Sequence, residues 1–142
     1  TYALMLQCDC VAVGYESKYN YIFHNNSIVN GKFNIKKLDL LEMTDLMAEA
    51  VSDIYPSLRN AVKRRQVYAR LSTLNQMLNA GKEFDNERIS IIRYIKKNRI
   101  DILKNKKAPK RDKIAIILLS GSYSLYRFCW LSYQRKIMGG SK

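Results

Sequence analysis

The run Tyr19-Asn20-Tyr21-Ile22-Phe23-His24-Asn25-Asn26-Ser27-Ile28 places the chain's one histidine, two further amides and a hydroxyl directly after an aromatic stretch. A lone imidazole can ligate a metal when neutral or offset a phosphate when protonated, and it can equally satisfy a hydrogen bond within its own turn. Asn26 and Ser27 offer hydrogen bonds to a substrate, and turn formation accounts for them as well. Two other groups imitate chemistry. Cys8-Asp9-Cys10 has the look of a thiolate metal site, but only Cys129 and His24 remain to complete four ligands. Glu83, Asp85 and Glu87 alternate as a carboxylate metal motif does, yet they stand at an expected helix start, where the helix dipole favours acids.

The elements that must carry these residues are legible in outline. Tyr2 to Gln7 reads as a helix tail, Cys10 to Val13 as a buried strand ending at Gly14, and Lys18 to His24 as a half-buried strand with Tyr19, Tyr21 and Phe23 on one face. Asn25 to Ser27 and Asn30-Gly31 are turn chemistry. From Asn34, an expected N-cap, the period becomes helical, with Leu40, Met43, Met47, Ala50 and Ile54 as the inward stripe. Pro56 suits the first turn of a second helix running to about Asn79 with Val67, Leu71, Leu74 and Leu78 buried and Gly81 as its stop. A third helix is expected over Asn86–Lys104, capped by Asp85, and a last one over Asp112–Met138. The fold class is therefore mainly α: a short N-terminal β-hairpin or strand pair followed by about four helices. The expected divisions are residues 1–33, a helical part 34–104, a basic linker 105–111 and a C-terminal amphipathic helix 112–142.

Charge is distributed unevenly. The total is +13, but Thr1 to Ser57 holds 4 Lys/Arg against 7 Asp/Glu, while Leu58 to Lys142 holds 21 against 5. A one-sided field of this kind implies a polyanionic partner: nucleic acid, anionic lipid or a phosphorylated substrate. Its densest point is the linker with Lys106, Lys107, Lys110 and Arg111, followed by a helix whose stripe includes Tyr126 and Trp130. Such a helix suits a membrane interface, with aromatics at headgroup depth and cations on anionic lipid. A buried packing helix explains the same pattern. Its uncharged run from Ile114 to Tyr126 is well short of the roughly 20 residues that span a bilayer. Three cysteines, an odd number, read as free thiols in a reducing compartment, which points to the cytoplasm. The opening at Thr1, with no charged leader and apolar run, reads as a cut piece of a longer protein.

The Tyr19 to Ile28 cluster, Phe33 and Leu38-Asp39 together resemble family 2 glycosyltransferases of the GT-A fold, in particular those that build bacterial capsular or exopolysaccharides. In that family a Tyr-x-Tyr strand leads into an Arg or His and then a Ser-Ile or Ser-Val. A two-helix segment with a Tyr-Pro break follows, here Tyr55-Pro56. The resemblance covers roughly Thr1 to Leu78. It implies that the N-terminal strand pair is the edge of a GT-A α/β domain. It implies substrate contacts from Tyr21, His24, Asn26 and Ser27, with His24 also a third ligand to a divalent Mg or Mn of the intact enzyme. It further implies a nucleotide-sugar donor, a saccharide or lipid-linked acceptor, and a peripheral place on the inner face of the cell membrane. The family's Asp-x-Asp and Glu-Asp base do not occur in the 142 residues, so these residues alone are expected to be inactive and to bind no metal.

Two other readings compete. One is a basic helical nucleic-acid-binding module, although zinc-finger spacing, an RNP-like aromatic run and a basic-region heptad are all missing from the sequence. The other is a helical adaptor without catalytic connection. The C-terminal helices are also a plausible homodimer surface.

Overall fold

The computed structural model describes residues 2–20, 22 and 31–139, which divide between Lys32 and Phe33 into two units. In the first, a single helical turn, α1 (Tyr2–Met5), is closed by Leu6 N–H donating to the Tyr2 carbonyl at 3.0 Å. The described residues beyond it form neither helix nor strand.

The expected N-terminal strand pair is thus not present among the described residues, and the fold is all-helical there. Period-2 alternation marks which side chains share a face, but a strand also needs a neighbour to take its backbone hydrogen bonds. Among the described residues neither Cys10 to Val13 nor Lys18 to Asn20 has one, and side chains expected to be buried or half-buried are open to solvent, with Val13 76% and Tyr19 80% exposed. Tyr21, Phe23 and His24 lie outside the described residues.

The second unit begins with Asn34 in an extended conformation, as an N-cap requires, though its side chain makes no capping bond. A 3-10 turn, Ile35–Leu38, then feeds α2 (Asp39–Ile54), whose first turn carries Asp39 and Glu42 at the positive end of the dipole. Pro56 opens a second 3-10 turn, Pro56–Leu58, and reverses the chain into α3 (Arg59–Gln76). After α3 come a 3-10 turn, Lys82–Phe84, and then α4 (Asp85–Lys97), α5 (Arg99–Lys104), α6 (Lys110–Gly121) and α7 (Tyr123–Gly139).

Helix α3 is the hub, packed against α2, α4, α5 and α6. Its Val67, Leu71 and Leu74 recur at helical spacing and, with Leu78 in the turn that follows, meet Ile91 and Ile95 of α4, Ile102 of α5, Ile116 and Leu119 of α6 and Tyr126 of α7 in one core. Burying each of these large side chains contributes about 1.5–3 kcal/mol. Helix α2 docks differently. Its Asp45 carboxylate receives both terminal nitrogens of Arg70, at 2.6 and 3.0 Å, and Gln66 Nε2 at 2.9 Å. The Arg70 guanidinium carbon also sits 3.5 Å from the centre of the Tyr94 ring.

Two expected long helices are broken, so about four helices become six in this unit. At Asn98, between α4 and α5, the side-chain amide donates to the Tyr94 carbonyl at 2.9 Å, sharing it with the Asn98 backbone N–H at 3.2 Å, a local bonding pattern by which an Asn side chain competes with the regular ladder. At Ser122 the backbone turns extended (φ −153°, ψ 152°), and its Oγ accepts the Leu125 N–H at 3.0 Å, capping α7. The expected stop at Gly81 also works through another residue. Gly81 has φ −67°, an ordinary value, and Arg88 supplies the donors that the end of α3 lacks.

Candidate anion-binding groove

The carbonyls at a helix C-terminus have no intrahelical donors, and they carry the negative end of the dipole. Arg88, one turn into α4, answers both needs. Its Nη2 donates to the carbonyls of Met77, Ala80 and Gly81 at 3.2–3.4 Å, and its Nη1 pairs with Asp85. This guanidinium fixes the α3–α4 connection as one wall of a recess of about 580 Å³.

One face of α7 makes the other wall. Ser124, Arg127, Phe128, Leu131, Ser132 and Arg135 recur every three or four residues and all line the recess. Arg127 reaches across it, with Nε donating to the Leu78 carbonyl at 2.9 Å. No hydrogen bond engages its two terminal nitrogens among the described residues. Lys82 stands on the opposite wall. Lys82, Arg127 and Arg135 are exposed and, among the described residues, form no ion pair. Phe128, 71% exposed, supplies an apolar surface beside them. The arrangement can hold an anion.

A smaller recess of about 210 Å³, between α3, α6 and α7, has a structural character. Tyr126 donates its hydroxyl to Asn75 Oδ1 at 2.5 Å. Burial, reinforced by the neighbouring Tyr123 and Asp112, pushes that hydroxyl's pKa well above its ordinary 10.0. Trp130 stacks on Tyr126 with centroids 6.3 Å apart, and its buried Nε1 has no partner among the described residues.

Sequence-derived site residues fall into three groups. Tyr21, His24, Asn26 and Ser27 lie outside the described residues. Lys106, Lys107, Lys110 and Arg111 are exposed, between α5 and α6 and on the first turn of α6. Tyr126 and Trp130 correct the expectation of an outward aromatic stripe: Tyr126 is 1% exposed and Trp130 packs against the core, because the ring stripe is the face that meets α3. Sequence reading missed Lys82, Arg88, Arg127 and Arg135. The signal for two of them was present in the Arg127, Phe128, Ser132, Arg135 spacing on an otherwise apolar helix; the pairing with the α3–α4 turn was not visible locally.

Among the described residues no group of His, Cys, Asp and Glu side chains is arranged to hold a metal ion. The alternating acids do not converge: Asp85 is paired with Arg88, and the Glu83 carboxylate lies so close over Gly81 that a Cβ there would collide with it. His24, the ligand that the glycosyltransferase resemblance implies for a divalent ion, lies outside the described residues. No helix among them is long and apolar enough to cross a membrane. No family model matches the chain, and neither a curated protein nor a solved structure matches it.

Proposed function

We propose that the chain is the C-terminal, acceptor-side part of a sugar-nucleotide-dependent glycosyltransferase of bacterial surface-polysaccharide synthesis. The observation that carries this reading is the order of elements after the tyrosine-rich segment. Helix α2 ends at Ile54, Tyr55-Pro56 reverses the chain, and α3 begins at Arg59, which is the two-helix segment with a Tyr-Pro break that the resemblance implies. In an inverting transfer of this class, a carboxylate takes the proton of an acceptor hydroxyl, whose oxygen attacks the anomeric carbon as the nucleoside diphosphate leaves. The Asp-x-Asp and Glu-Asp of that machinery are not among these residues, and the chain's part is to offer His24, Asn26 and Ser27 to the substrate and to hold the enzyme at its acceptor.

A peripheral position on the inner face of the cell membrane belongs to the same reading. It is supported by the exposed Lys106, Lys107, Lys110 and Arg111 beside Ile114 and Ile117, which are exposed on α6. Cations over anionic headgroups with short apolar side chains below them are the chemistry of interfacial binding.

The test is to express the intact gene product and incubate it with a panel of nucleotide sugars and bacterial membranes. Release of nucleoside diphosphate from one donor is expected, with His24→Ala lowering the rate by about tenfold or more. If no donor is consumed while the protein binds RNA with a steep salt dependence, the reading fails in favour of a nucleic-acid module.

A further inference from the structure

We propose that the groove between the α3–α4 connection and α7 is a binding site for a phosphoryl group carried on an apolar or sugar body. The proposal stands on the groove alone and does not depend on the glycosyltransferase reading. Three features separate the groove from an ordinary solvated basic face. Its cations lie along a recess rather than scattered over convex surface, and its walls are fixed by the Arg88 cap and the Arg127–Leu78 bond. Holding Arg127 by Nε alone leaves the planar pair of terminal N–H groups that a phosphate or carboxylate accepts side by side. Lys82, Arg127 and Arg135 stand together without a carboxylate paired to any of them among the described residues, and a bound anion removes that mutual repulsion.

The choice of phosphate over a simple carboxylate follows from charge and from the lining. Three unpaired cations match a dianion better than a monoanion. The hydroxyls of Ser124 and Ser132 sit on the same face of α7 and add neutral donors to oxygens that the guanidinium does not reach. Phe128 and Leu131 give the remainder of the ligand an apolar wall, suited to the face of a sugar ring or the first carbons of an acyl chain. The terminal nitrogens of Arg88 are taken by its own bonds, and only its buried Nε has no partner among the described residues. Its guanidinium is committed to three carbonyls and to Asp85, and it acts by positioning the wall.

A phosphoryl group of this kind comes from a lipid headgroup or from a soluble phosphorylated sugar, and one experiment separates the two. The full chain is titrated with glucose 1-phosphate and pyrophosphate by calorimetry, and in parallel mixed with phosphatidylcholine vesicles with and without phosphatidic acid. Saturable binding in one arm is expected, weakened about tenfold or more by Arg127→Ala and by Arg135→Ser, and within twofold of the parent for Arg93→Ala/Lys97→Ala, two exposed cations of α4 that do not line the groove. Arg127→Lys, which keeps the charge and loses the fork, falls between. Arg135 is exposed near the end of α7, so its replacement tests the groove even if Arg127→Ala perturbs the fold. Saturable binding of the soluble ligands identifies a phosphorylated sugar, and binding only to phosphatidic acid vesicles identifies a headgroup. Equal loss from the Arg127 and Arg93/Lys97 variants, or no saturable binding in either arm, overturns the proposal.

Discussion

Helices α2 and α7 both attach to α3, and they do so by opposite chemistry. Helix α7 turns two of its rings inward, with Tyr126 sealed in the core on a single hydrogen bond to Asn75 and Trp130 stacked beside it. Helix α2 instead presents a polar, small-residue face: Thr44 and Ala48 are buried, and Asp45 is bound to Arg70 and Gln66. Of its expected apolar stripe, Leu40, Met43 and Ile54 stay exposed while Met47 and Ala50 are half-buried, and Leu41 beside them packs against the core. One attachment rests on area removed from water, the other on a two-pronged ion pair whose cation is itself buried and laid against Tyr94. The first is indifferent to pH and salt over the ordinary range, whereas the second responds to both.

The largest effect is expected at the apolar attachment. Tyr126→Ala removes a fully buried ring and should destabilise the helical unit by about 3–5 kcal/mol in chemical denaturation. Tyr126→Phe keeps the ring and leaves Asn75 Oδ1 without its donor, for about 1 kcal/mol. If the two variants cost the same, the hydrogen bond and not the burial holds α7, and the contrast with α2 disappears.

At the polar attachment, Asp45→Ala leaves the Arg70 guanidinium buried without its counter-charge. The cost expected is about 2 kcal/mol, below the range for a fully buried pair because the Asp45 side chain is partly open to solvent. Burial raises the Asp45 carboxyl's pKa, but the hydrogen bonds from Arg70 and Gln66 and the charges of Arg70 and Lys63 outweigh it and hold the pKa below the ordinary 3.8. A depressed carboxyl favours the folded state wherever it is ionised, so this stabilisation is complete above pH 3.8 and is lost as pH falls further. Amide exchange in α2 should therefore accelerate on acidification below that value while α7 keeps its protection. Simultaneous loss of protection in both helices would mean that the ion pair is not what sets α2 apart.

The same contrast explains how much of the fold was legible in the residues. Stripes that found a partner were read correctly: Val67, Leu71 and Leu74 of α3, Leu78 just beyond it, and Ile91 and Ile95 of α4 line the core as their spacing requires. Period alone cannot say whether a partner exists. That is why the stripe of α2 was expected inside, and why Tyr19 in its alternating run was given a strand. The breaks at Asn98 and Ser122 were written in local chemistry, an amide and a Gly-Ser pair, but the apolar pattern runs through both and masks them. The groove was hardest to foresee, since Lys82 and Arg127 meet only because Arg88 ends α3 where it does.

The smallest effect is the sharpest test of that contrast. Met43 is 54% exposed in the apolar stripe of α2, and as a helical residue it is exchangeable for another straight-chain one. Met43→Gln should leave stability within about 0.5 kcal/mol of the parent, the range of surface substitutions that disturb no special feature. A Leu or Ile of the α3–α4 core replaced in the same way would cost several times more, because a buried amide would be left without partners. A Met43→Gln loss of about 2 kcal/mol or more in the isolated chain would show that the stripe is covered in solution. The contacts of Asp45 and Leu41 would then be only part of what holds α2.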